Sequence, residues 1–222
     1  FRTVQLASDE LNYSTYVVGG WVRDLLIDRL QTKTDIDFVC IGSGINLAER
    51  VAKKLGNKAT FKVFKNFGTA MIHYNGEDYE FVGARKESYR TESRKPIVED
   101  GTLEDDQNRR DFTINAMAIQ LNTEGYGTLI DPFNGQEDLK NQIIRTPLSP
   151  DITYSDDPLR MMRAVRFATQ LNFTILEESL ESMNRNAERL AIISQERITE
   201  EEGKILYTKA PLALLGTLAN TI

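Results

Sequence analysis

The run Gly19-Gly20-Trp21-Val22-Arg23-Asp24, followed closely by Asp35-Ile36-Asp37, constrains this chain more than any other feature. Two glycines ahead of a helix-like stretch predict a tight turn into a helix, where backbone amides can approach a phosphate. Asp35 and Asp37 lead an apolar run, Phe38-Val39-Cys40-Ile41, that reads as a strand. Residues i and i+2 of a strand share a face, so both carboxylates point one way and Ile36 the other. Two carboxylates beside a phosphate seat suit a hard divalent cation and a nucleoside triphosphate together. The pairing points to nucleotidyl transfer. An acid pair also serves to cap or salt-bridge a sheet edge, and Gly-Gly with Arg23 against Asp24 also makes a plain turn. No Gly-Lys-Ser/Thr follows, so this is not a Walker loop.

Residues 1–146 mix strand and helix signals. Tyr16-Val17-Val18 reads as a buried strand, Trp21 to Leu30 as a helix and Asp35 to Ile41 as a second strand. Leu47, Val51, Ala52 and Leu55 recur at helical spacing and Gly56 stops the pattern. Thr69–Tyr74 and Tyr79–Ala84 flank Asn75-Gly76, a hairpin signal. Phe112 to Leu121 is apolar, helical or extended. Lys86 to Asn108 is polar without period and reads as a long loop, functional or disordered, and mobile without substrate. After Asp151 the pattern is wholly helical, with an amphipathic run from Leu176 to Leu190. Thr199 and Glu202 have the spacing of a capping box opening a further helix. We place a boundary near Thr146-Pro147, with residues 147–222 as the second domain.

The composition excludes several classes. With 222 residues and 41% hydrophobic content, the chain can bury one large core or two small ones. No apolar run is long enough to span a membrane. Phe1 opens a polar stretch with no cleavage pattern, and the lone Cys40 cannot form an internal disulfide; a reduced, cytoplasmic setting is expected. The net charge of −6 argues against a broad electropositive grip on nucleic acid. The only histidine, His73, sits in an alternating strand pattern and reads as structural. The lack of an initiating Met and the apolar end at Leu212-Ala213-Leu214-Leu215 lead us to expect an incomplete chain.

Further constellations extend the site. Glu80 on a neighbouring strand adds a third carboxylate, and three from adjacent strands can hold two Mg²⁺ ions. Arg109-Arg110-Asp111 leads directly into Phe112-Thr113-Ile114-Asn115-Ala116. The arginines either balance the acids Glu104, Asp105 and Asp106 or project into a cleft, with Asp111 able to accept from a ribose hydroxyl. In Asp156-Asp157-Pro158-Leu159-Arg160, Asp157 before proline is a good helix cap. Asp157 and Arg160, at i and i+3, also share a face and offer an acceptor and a donor fork to a base edge. Arg163 and Arg166 continue by threes, which leaves Arg166 nearly opposite Asp157.

Taken together these motifs resemble the bacterial-type (class II) tRNA nucleotidyltransferases and poly(A) polymerases of the DNA polymerase β superfamily. The likeness is strongest to CCA-adding enzymes. Asp131-Pro132-Phe133-Asn134-Gly135 and Glu196-Arg197-Ile198 also stand in the expected order. The resemblance implies an α/β head, a mixed sheet with flanking helices, followed by an all-α neck. It implies Mg²⁺ on Asp35 and Asp37, with Glu80 as a third catalytic carboxylate. Gly19, Gly20, Arg23, Arg110 and Asp111 would hold the nucleotide's phosphates and sugar. Asp157 and Arg160 would read the base without a template, supported by Arg163 and Arg166. The implied partners are CTP, ATP and the tRNA 3′ end, with tRNA-gripping body and tail domains C-terminal to this stretch. An A-only or C-only enzyme, a poly(A) polymerase, or an inactive nucleotide- or RNA-binding module shares these motifs.

Overall fold

The computed structural model describes residues 1–30, 35–90 and 93–206. In chain order come α1 (Arg2–Leu11), β1 (Thr15–Val18), α2 (Gly20–Leu26), β2 (Ile36–Cys40) and α3 (Gly44–Leu55). There follow β3 (Thr60–Phe64), β4 (Thr69–Tyr74), β5 (Glu77–Gly83), β6 (Arg85–Arg90), β7 (Ser93–Asp100) and α4 (Leu103–Asn108). Then come β8 (Ala118–Gln120), β9 (Leu129–Ile130), α5 (Gly135–Asn141), β10 (Ile143–Ile144) and α6 (Pro150–Asp156). The last are α7 (Leu159–Leu171), β11 (Thr174–Ile175), α8 (Glu177–Asn186) and α9 (Gln195–Leu206).

The chain forms two interleaved units. One comprises Phe1–Lys86, Val98–Asn108 and Asn115–Phe133; the other comprises Glu87–Ile97, Arg109–Ile114 and the chain from Asn134 onward. Thr146-Pro147 lies inside the second.

The first unit is built on a seven-stranded mixed sheet in the order β3-β4-β5-β2-β1-β8-β9. β2 runs parallel to β5 and antiparallel to β1. β1 is buried throughout and β2 everywhere except Asp37, because both sheet faces are covered there. On one face Phe38 stacks on Phe81 with centroids 4.9 Å apart, beneath α3, which buries Leu47, Ala48 and Val51. On the other, Tyr16, Val18, Val39, Ala84 and Ala118 pack with Leu103 of α4. Cys40 is fully buried, and burial pushes its thiol pKa up to about 12, so it is inert. The Asn75-Gly76 hairpin forms as expected, with φ of 55° and 85°, the two left-handed residues of a I′ turn.

In the second unit α6 packs on α8 and α7 on α9. Leu159 and Met162 of α7 close over Ile193, Leu190 and Ile198. Phe167 meets Phe112 edge-on at 5.8 Å.

Several expectations are corrected. Residues 86–108 are not an irregular loop: β6 and β7 form a two-stranded ribbon and α4 follows. Ile97 and Val98 are 46% and 50% exposed, so this part of the ribbon buries no face and leaves no alternating pattern to read. The second unit is not wholly helical, because β10 and β11 pair in parallel. The last helix opens at Ser194, whose carbonyl accepts from Arg197 and Ile198; Thr199 lies inside the helix and caps nothing. The helix after Gly20 stops at Leu26, not Leu30. Residues 112–121 resolve into a short 3₁₀ turn and β8. Leu212–Leu215 lies outside the described residues.

Candidate functional site

The site of the first unit grows from the register of four strands. Val18, the last residue of β1, stands opposite Asp37. Asp37 stands beside Glu80 of β5, and Glu80 faces Met71 of β4. Direct cross-strand partners share a face, so these residues form one row across the sheet. Asp35, two residues before Asp37, directly precedes β2 and is exposed. Gly19 follows Val18 directly, so the glycine turn and the carboxylates occupy one end of neighbouring strands. The turn needs glycine: Gly19 has φ 75° and ψ −142°, strained for any other residue.

Arg23 does not project from this turn as an open fork. It is 6% exposed, and its guanidinium donates to Asp24 Oδ1 at 2.8 Å and to Asn115 Oδ1 at 2.9 Å. It underpins the turn: a Cβ on Gly20 would sit 3.4 Å from the guanidinium. Asn115 is a residue that motif reading quoted without a role. Its signal was its place three residues into the stretch after Phe112, and only the tertiary contact reveals its use.

Among the described residues, no group of three or more His, Cys, Asp or Glu side chains could hold a metal by itself. Glu80 is the register neighbour of Asp37, not a member of a closed ligand set. Mg²⁺ commonly takes one or two carboxylates and completes its shell with water and substrate phosphates, so Asp35 and Asp37 fit it by donor chemistry. An apolar cavity of about 100 Å³ lies on the opposite face of the sheet, among Phe38, Val51, Ile72 and Phe81, away from the carboxylates. His73 is exposed on β4 and meets Asp78 at 2.7 Å, its cross-strand partner, in keeping with a structural role.

In the second unit the fold brings together two sequence-predicted motifs some fifty residues apart. Arg160 is 9% exposed and donates to the carbonyls of Arg109 and Thr153. Arg163 Nε donates to Asp111 Oδ2 at 2.7 Å. Asp111, itself 8% exposed, also accepts from the Phe112 amide. The Asp111 charge raises the Arg163 pKa against the opposing effect of burial. Thr113 continues the anchoring, its amide on the Arg145 carbonyl and its hydroxyl 2.6 Å from the buried Asp138. Residues 109–113 are thus fastened at several points, with Arg110 in their middle.

Asp157 sits between α6 and α7, and its Oδ1 accepts from the Leu159 amide at 3.2 Å. That is a capping contact. Arg166 points elsewhere: its Nε donates to Glu201 of α9 at 2.6 Å, and its guanidinium lies 4.1 Å from the Phe167 ring centroid. Burial lowers its pKa, opposed chiefly by the Glu201 charge. Arg163 also lies over the Phe167 ring, at 5.4 Å, so the two arginines share that ring while pairing with different acids, Asp111 and Glu201.

The family described as the poly A polymerase head domain matches residues 15–145, well over half of the chain. The chain belongs to that family. A second match, to a probable RNA and SrmB-binding site of polymerase A, covers residues 172–221. Among curated relatives, the A-adding tRNA nucleotidyltransferase of Aquifex aeolicus is 43% identical over 180 residues, 81% of this chain and 21% of that protein. The CCA-adding enzyme of Lactobacillus helveticus is 40% identical over 195 residues, 87% of this chain and 46% of that protein. The chain thus spans about a fifth to a half of these relatives' lengths.

Solved structures agree. A CCA-adding enzyme in an apo form superposes with TM-score 0.89 at 35% identity, covering 99% of this chain and 51% of that one. A tRNA nucleotidyltransferase with a primer tRNA and an incoming ATP analogue superposes at 0.84 and 35% identity, over 98% and 60%. Both the head-domain sheet and the helical region that follows in the chain therefore match the expected architecture. No helix among the described residues is long and apolar enough to cross a membrane.

Proposed function

We propose that this chain is the nucleotide-adding part of a template-independent tRNA nucleotidyltransferase that completes the CCA end from CTP and ATP in the cytoplasm. The observation that carries the reading is the row Val18–Asp37–Glu80, with Gly19-Gly20 at its end. It sets Asp37, with Asp35 just before it in the chain, beside the Gly19-Gly20 turn. A divalent cation on Asp35 and Asp37, Mg²⁺ in this reading, supplies Lewis-acid activation of the attacking 3′-hydroxyl and charge neutralisation at the leaving pyrophosphate.

The chain's own residues do the rest. Gly19 and Gly20 let the backbone approach the triphosphate, with Arg23 holding the turn from beneath. Arg110, on the fastened 109–113 segment, supplies positive charge to the nucleotide. Asp157 and Arg160 lie at the start of α7 and give the base an acceptor and a donor. Arg163 acts as a positioning residue through Asp111.

An A-only enzyme is the second reading, favoured by the A-adding relative at 43% identity. The test incubates the intact protein with tRNA ending before CCA, giving CTP and ATP separately and together. We expect C addition with CTP alone and a full CCA end with both. Addition of A alone to a tRNA already ending in CC selects the second reading. No addition under any condition overturns both.

A further inference from the structure

One stretch departs from the acidic balance of the chain. Residues 50–76 hold six basic side chains and no acidic one, against a net charge of −6 for the whole. Three of the six are engaged: Arg50 and Lys54 with Glu10, and Lys53 with Glu49. Lys58, Lys62 and Lys65 are exposed, and among the described residues none of them forms an ion pair or hydrogen bond. They flank and occupy β3, the outermost strand of the sheet.

Two aromatics accompany them. Phe64 is 40% exposed, and Phe67, in the turn before β4, is 74% exposed. A phenylalanine this open serves no core. Thr60, Lys62 and Phe64 share a face of β3. The register carries that face across the sheet: Lys62 stands opposite Met71, Met71 opposite Glu80, and Glu80 beside Asp37. Lys62 and Asp37 therefore lie on one face, three strand spacings or about 14 Å apart. The acids nearest the patch on that face are Asp78, already held by His73, and Glu80.

We propose that the β3 edge and its turn, through Lys58, Lys62, Lys65, Phe64 and Phe67, form a contact surface for single-stranded RNA leading to Asp35 and Asp37. Lysines neutralise backbone phosphates, and open aromatic rings stack bases without sequence preference. An acidic peptide would use the lysines but leave the rings idle. Lysines on an edge strand also guard against edge pairing, which requires neither the exposed rings nor a shared face with the carboxylates. The inference rests on the function proposed above and extends its RNA contact to a second place in the first unit.

The test measures nucleotide addition by the intact protein to tRNA lacking its CCA end, over a range of salt concentrations. The variants are the triple Lys58→Ala, Lys62→Ala, Lys65→Ala and, separately, Phe67→Ala and Phe67→Trp. All four positions are exposed, so thermal melting should match the parent. In the triple variant we expect the RNA KM to rise on the order of tenfold. Its log–log salt slope should become shallower by about 2, from three phosphate contacts at about 0.7 each. The nucleotide KM and kcat should stay unchanged. Phe67→Ala should raise the RNA KM about fivefold, and Phe67→Trp should restore it.

An active parent whose triple variant keeps the RNA KM and salt slope overturns the proposal, leaving the lysines as edge guards. So does a variant that keeps its RNA affinity but loses binding to an acidic peptide. If the parent adds no nucleotide, the proposed function fails by itself. The same slope comparison, made by anisotropy with labelled tRNA, then decides the RNA surface alone.

Discussion

At the start of β2, Asp35 just before the strand is exposed and Asp37 within it is half-buried. On α7, by contrast, Arg160 is 9% exposed and held to two carbonyls, Arg163 is on Asp111, and Arg166 is on Glu201. Both sets belong to sequence motifs, yet the fold treats them in opposite ways. Asp35 is left where a ligand can reach it, whereas Asp37 is half-buried and has contacts of its own. The arginines hold protein to protein before any ligand arrives. Buried guanidinium groups cannot remain unpaired without a large desolvation penalty, so the fold satisfies them internally. Exposed carboxylates carry no such demand. A buried motif residue therefore serves the fold first, and the donor that Arg160 is proposed to give the base comes in addition to its two carbonyl contacts.

The largest effect should come from the open pair. Asp35→Ala or Asp37→Ala should cut nucleotide addition by about a thousandfold or more, the loss of several kcal/mol of metal-borne stabilisation. Because Asp35 is exposed, melting of Asp35→Ala should match the parent. Label incorporation and a thermal melt on the same preparation check both halves. Equal losses of activity and of fold would erase the contrast drawn above.

The fastened set should behave in reverse. Arg163→Ala removes the guanidinium that pairs with Asp111, which is 8% exposed. Removing one member of a mostly buried pair should cost about 2 kcal/mol, below the full buried-pair figure because the Arg163 side chain is 33% exposed. Arg163→Lys should recover part of this, since an ammonium lacks the planar fork that grips Asp111. Chemical denaturation reads the stability, and kcat with KM reads the site. A stable Arg163→Ala protein with a specific kcat defect would move Arg163 into the substrate-contacting set.

How far the sequence disclosed all this differs between the same two regions. Gly19, the Asn75-Gly76 turn and the strand that carries Asp37 follow from local rules: a required φ and a short apolar run. They were legible because each lies within a few residues of chain. The docking of residues 109–111 on α7 joins positions some fifty apart, and no local pattern announces it. The β10–β11 pair escaped for the same reason, with two residues per strand and about thirty between them. The β6–β7 ribbon escaped because Ile97 and Val98 face solvent, leaving no buried alternation to see. At Thr199 a local rule misled: T-x-x-E matches a cap by spacing, but Ser194 had already opened the helix.

Asp157 stands between the two classes and offers the smallest and sharpest test. Its Oδ1 holds the Leu159 amide, as a cap would. If capping is its whole role, Asp157→Asn should be silent, since asparagine caps as well as aspartate and alanine would cost only about 1 kcal/mol. If it also reads the base, the same change turns an obligate acceptor into a mixed donor and acceptor. Base contacts of this kind discriminate by about 1–3 kcal/mol each, by analogy with groove readout. We expect Asp157→Asn to melt with the parent and yet to shift incorporation among CTP, ATP, UTP and GTP by about tenfold. Unchanged preference would leave Asp157 with the fastened set. A shifted preference with an unchanged melt would make it a residue that serves both the fold and the substrate.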